Sequence, residues 1–116
     1  MSKDCALLDR TLFDEFAELF DAAEMRDVIE EWHADVTNAL VLIEEALRRG
    51  DSAEVARVAH RTAGGGLALG ATSLADVCER LRGQIESGAG VTSDDVDRVR
   101  RSAEATHRAL SDAAGV

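Results

Sequence analysis

At 116 residues, with no proline, 46% hydrophobic residues and only 3% aromatics, the chain is long enough to close one core unaided, and its composition favours helix over sheet. Its net charge of −10 argues against a nucleic-acid partner, because phosphate backbones are held by clustered Lys and Arg. There is no apolar stretch of membrane-span or signal-peptide length, and Cys5 and Cys78 stand too far apart in the chain for a zinc knuckle or a redox pair, so a cytoplasmic, monomeric protein without membrane contact is expected.

Five apolar stripes at helical spacing follow one another, with no strand-like alternation. The first, Leu12, Phe13, Phe16, Leu19 and Phe20, is short and holds all three phenylalanines. The second runs from Met25 through Ile29, Trp32, Val36, Leu40 and Ile43 to Leu47, and stops at Arg48-Arg49-Gly50. Asp51-Ser52-Ala53-Glu54 resembles a capping box and opens a third helix, with Val55, Val58, Ala59 and Thr62 on one side. The fourth carries Leu74, Val77, Cys78, Leu81 and Ile85 and breaks at Ser87-Gly88-Ala89-Gly90. Thr92-Ser93-Asp94-Asp95 caps a fifth, with Val96, Val99, Ala103, Thr106 and Leu110, and the tail Ala113–Val116 is expected to fray. The expected fold is all-α: an antiparallel up-down four-helix bundle with a short additional N-terminal helix over one end, residues 1–116 forming one domain.

Within the third stripe lies the most informative segment, Ala59-His60-Arg61-Thr62-Ala63-Gly64-Gly65-Gly66-Leu67-Ala68-Leu69-Gly70-Ala71. Three consecutive glycines oppose a helix by about 1 kcal/mol each relative to alanine. The expectation is steric: small neighbours leave room for something large to approach His60. With Val55 at 0° and about 100° per residue, the buried positions cluster near the origin and His60 falls near roughly 140°. Ala56, Ala63, Gly64 and Leu67 lie around it, so the ring is expected at the solvent face with a close-approach surface made of those four residues. Charge is distributed to match: residues 1–50 hold 13 acids and 5 bases, residues 51–82 hold 4 of each, and residues 83–116 hold 6 and 4. The region around His60 therefore reads as a place where carboxylates are scarce.

An exposed imidazole has a lone pair available near neutral pH. With no carboxylate expected beside it, and no serine or cysteine placed to attack, hydrolytic chemistry is unsupported. What such a ring does alone is accept a phosphoryl group on nitrogen and surrender it, and Arg57 and Arg61 are placed to neutralise it by charge-assisted hydrogen bonds.

Ala59-His60, Gly64 and Leu69-Gly70-Ala71 resemble the signature of histidine-containing phosphotransfer (HPt) domains. The likeness continues through Leu74 and Val77-Cys78-Glu79-Arg80-Leu81, and backwards to Ala46-Leu47 and Gly50-Asp51. The resemblance implies that His60 is a phosphoacceptor passing phosphoryl groups between aspartates of response-regulator receiver domains, with a hybrid histidine kinase among its partners and no autokinase activity of its own. It implies no cofactor on this chain, Mg²⁺ being supplied by the receiver. Two positions depart from the family pattern: Ala63 stands where a lysine is usual, and Arg82 near where a glutamine is common. Arg57, Arg61 or Arg82 is left to replace the lysine, and the alternative is a degenerate module that binds a receiver or kinase without carrying phosphate.

The remaining signals are weaker. Gly65, Gly70, Ala71 and Thr72 copy a phosphate-loop frame without its lysine or preceding strand. His33 and His107 read as boundary residues with no local metal-ligand spacing to His60, and no metal site is expected. Trp32 reads as core packing and Cys78 as a small buried hydrophobe.

Overall fold

The computed structural model describes residues 7–115; the N-terminal residues through Cys5 and Ala6, and the tail residue Val116, lie outside it. Among the described residues there are five α-helices and one short 3₁₀ turn, and no strand: α1 (Arg10–Ala17), α2 (Ala22–Arg48), α3 (Ser52–Gly65), the turn Leu67–Leu69, α4 (Thr72–Glu86) and α5 (Ser93–Ala114). None of these helices is long and apolar enough to cross a membrane.

Four of the five helices begin on a side-chain cap, which satisfies amide groups the helix cannot reach and contributes about 1 kcal/mol each. Asp9 accepts from the Leu12 amide at 3.1 Å. Asp21 and Glu24 each accept the other's backbone N–H in a full capping box, and Thr92 and Asp95 do the same. The box read at Asp51 is only half made: Asp51 accepts from Glu54, but the Glu54 carboxylate turns to Arg57, whose Nε donates to it at 2.8 Å.

The long helices form a ring of neighbours, α2 on α3, α3 on α4, α4 on α5 and α5 back on α2, while α1 rests on the 3₁₀ turn. Ile29, Ile43, Val55, Val58, Leu74, Cys78, Val99, Thr106 and Leu110 are fully buried between them. The first stripe is the exception. α1 ends at Ala17 and buries only Phe13; Leu12 and Leu19 are exposed. Lying over the end of the bundle rather than inside the ring, α1 has one narrow contact to cover. The tail also differs from expectation, because α5 continues through Ala114 and is closed by Gly115 in the left-handed conformation.

The glycine run is where the structure most revises the sequence reading. α3 stops at Gly65, and Gly66 caps it before the turn begins. A Cβ on Gly66 would stand 2.9 Å from Trp32 Nε1 and 3.0 Å from Ala71 Cβ, so this glycine is required by the tryptophan beneath it rather than by an incoming partner. Gly70 closes the turn at φ +81°, where a Cβ would meet the Asp9 carbonyl oxygen at 2.4 Å, and its own carbonyl accepts the Asp9 amide at 2.8 Å. Those backbone contacts latch the start of α1 to the turn between α3 and α4.

Candidate functional site

His60 lies in the third turn of α3 with its side chain 67% exposed. The preceding residues Val55, Val58 and Ala59 go to the core, and the 100° step between residues then carries position 60 outward on the side of α4. Around it, Ala56 is half-buried and Gly64 is exposed, and a Cβ added at Gly64 would meet nothing within 4 Å. Leu67 is 45% exposed, but it belongs to the 3₁₀ turn, not to α3, so the helical projection that placed it beside His60 does not apply. Ala63 is a correction. It is 4% exposed and packs in the core, which removes it from the approach surface; at three residues from His60 it turns back under the helix.

The expectation that no carboxylate stands beside the ring is overturned. Glu79 reaches across from α4, and His60 Nδ1 lies 2.8 Å from Glu79 Oε1. The other oxygen of the same carboxylate accepts from Arg82 Nε at 2.7 Å, and Arg82 Nη1 donates to Glu86 at 2.8 Å. These hydrogen bonds, Arg82 first and His60 second, hold the Glu79 carboxyl below the usual carboxylate range. An ionised carboxylate only accepts, so the proton of the neutral imidazole resides on Nδ1. Nε2 is left with its lone pair.

Glu79 escaped the sequence reading because it is 19 positions from His60 and joins it only through the packing of α4 on α3. Its pairing with Arg82 was legible as an i,i+3 spacing; the direction of the pair was not.

The three candidate arginines divide. Arg82 is brought to the site, indirectly, through Glu79. Arg57, one turn before His60, is engaged by Glu54. Arg61 lies along a groove between α2 and α3 with Trp32, Asp35 and Leu42, carried away from α4 by the helical step. Cys78, next to Glu79, is fully buried, and burial followed by the Glu79 charge pushes its thiol up to about 12, so it supplies no nucleophile here.

The arrangement is one exposed imidazole with a single oriented nitrogen and a fixed proton on the other. It offers no second nucleophile. Such a ring attacks an electrophile that another molecule brings and activates. In comparison with known proteins, the family model described as Hpt domain matches residues 10–112, nearly the whole chain. No curated protein and no solved structure matches the chain.

Proposed function

The chain belongs to the Hpt domain family, whose members are phosphotransfer carriers of two-component phosphorelays that interact with receiver domains and histidine kinases, and we propose that His60 is its phosphoacceptor. The Nε2 lone pair attacks the phosphorus of a receiver's aspartyl phosphate. The N–P bond forms as the P–O bond to the aspartate breaks, and that aspartate leaves as a free carboxylate. The Nδ1 proton stays in place, so the imidazole becomes positively charged as it bonds to phosphorus. Glu79, 2.8 Å away, stabilises that charge. Keeping the proton on Nδ1 also makes the ring a good leaving group, which is what onward transfer to a second receiver's aspartate requires. The receiver brings Mg²⁺; this chain contributes the nucleophile, its tautomer and a surface to dock on.

Support for this reading rests above all on the His60–Glu79 pair, which orients the free nitrogen outward on an open face. The docking surface we assign to Ala56 and Gly64 on the helix of His60, with open space at Gly64, and to the exposed Leu67 of the following turn. With Ala63 buried and Arg57 held by Glu54, Arg82 is the arginine that stands in for the missing lysine, acting through the carboxylate it shares with His60. The test is incubation with a phosphorylated receiver domain. Acid-labile label is expected on the wild-type chain and none on His60→Gln. Binding of receivers with no label on the wild type, across a panel of donors, would establish instead the phosphate-independent interaction module.

A further inference from the structure

Two histidines that appear unrelated in sequence stack on each other. The His33 and His107 rings lie with centroids 3.8 Å apart and planes within 4° of parallel. Each follows a glutamate by three residues, Glu30-Glu31-Trp32-His33 on α2 and Glu104-Ala105-Thr106-His107 on α5, a spacing that puts both side chains of a motif on one helix face. The two motifs meet crosswise. His107 Nε2 lies 2.8 Å from Glu30 Oε2, and His33 Nε2 lies 3.3 Å from Glu104 Oε1. Numbering rises along α2 as it falls along α5, so the helices run antiparallel here and the motifs face each other about an approximate twofold.

One ligand atom each from Glu30, His33 and His107 lie within 4.8 Å of one another. Two donors on a single tetrahedral ion stand roughly 3.4 Å apart, given bonds of about 2.0–2.1 Å, so closing the set requires one imidazole to turn out of the stack until both in-plane lone pairs converge on one point. The side chains suit this. The two rings keep 27% and 21% exposure at the seam, and Glu30 and Glu104 are more than half exposed, which leaves room for that rotation. Charge favours it as well. Two carboxylates face two imidazoles. A divalent cation supplies both positive charges at one point.

We propose that His33, His107 and Glu30 bind one Zn²⁺ ion, with Glu104 beside them as a further oxygen donor. Two imidazoles and carboxylate oxygen suit zinc rather than Mg²⁺ or Ca²⁺, which take oxygen ligands. Each ring ligates through Nε2, with its remaining proton on Nδ1. The ion ties α2 to α5 where the helical ring closes, across the bundle from the α3–α4 face that carries His60 and Glu79. Its role is structural, and it is separable from phosphotransfer.

The experiment is calorimetric titration of the purified chain with ZnCl₂ at neutral pH, alongside thermal unfolding with and without the ion. One equivalent should bind and raise Tm. The His33→Gln/His107→Gln variant should bind at least about tenfold more weakly and lose the Tm increase, while His60→Gln should match the wild type. Should the double variant fail to fold, Glu30→Gln, altered at an exposed position, should show the weakening instead. Absence of saturable binding by the wild type overturns the proposal, as does full-strength binding by the ligand variants or loss of binding in His60→Gln.

Discussion

Glu79→Gln tests the reasoning at its centre, because it removes a charge and changes almost nothing in shape. The wild-type carboxylate accepts from His60 Nδ1 at 2.8 Å and from Arg82 Nε at 2.7 Å, and those bonds keep it ionised. A hydrogen bond to a charged group contributes about 1.5–3 kcal/mol against about 0.5–1.5 for a neutral one, a difference of about 1–1.5 kcal/mol. The Glu79 and His60 side chains are 36% and 67% exposed, so solvent screening lowers this to about 0.5–1 kcal/mol. At 1.36 kcal/mol per factor of ten, transfer from a phosphorylated receiver to His60 should slow by about two- to fivefold. The carboxamide also has a donor end, and if it turns its NH₂ toward the ring, the Nε2–H tautomer gains and the nucleophile is lost outright. Two measurements read this: single-turnover phosphotransfer, and ¹⁵N NMR of the imidazole. The wild type should show a protonated Nδ1 and a bare Nε2. A wild-type ring protonated mainly on Nε2, or an unchanged transfer rate in Glu79→Gln, would refute the assignment.

Neighbouring glycines should respond in opposite directions. Gly66→Ala forces a methyl against Trp32 and Ala71 and should destabilise by about 1–3 kcal/mol, whereas Gly64→Ala, in open space on α3, should stabilise by about 0.5–1 kcal/mol; denaturant unfolding of both checks the pair. The Asp95 carboxyl is held below its ordinary 3.8, first by the Thr92 backbone N–H and then by Gln84 and the Thr92 hydroxyl. A lowered folded value means its contribution is present above that pH and disappears as the pH falls through the folded value. Asp95→Asn should therefore lose about 1 kcal/mol at neutral pH, with the gap to wild type closing below pH 3.8 when stability is followed by acid titration.

What the sequence made legible was whatever repeats within one helix. The stripes through Ile29, Val36 and Ile43, or Val96, Val99 and Ala103, place their residues in the core as periodicity requires. His60 is exposed for the same reason. What escaped were contacts between helices far apart in the chain. Glu79 joins His60 across 19 residues, and His33 meets His107 across the α2–α5 seam, and neither partner is marked by local spacing. The projection also failed where the helix did. Beyond Gly65 the 100° step no longer holds, so Leu67 was given the right exposure for the wrong reason. Ala63 shows the limit of the angular estimate itself: about 80° from the chosen origin, it falls on the buried side of a boundary the sequence does not draw.

Both Arg57 and Arg82 are already matched to acidic partners, Glu54 for the first and Glu79 with Glu86 for the second. Neither guanidinium is left as an unclaimed anion trap next to the histidine. A small free anion thus meets two guanidiniums already paired, and occupancy favours molecules that arrive with a matching surface as well as a negative group.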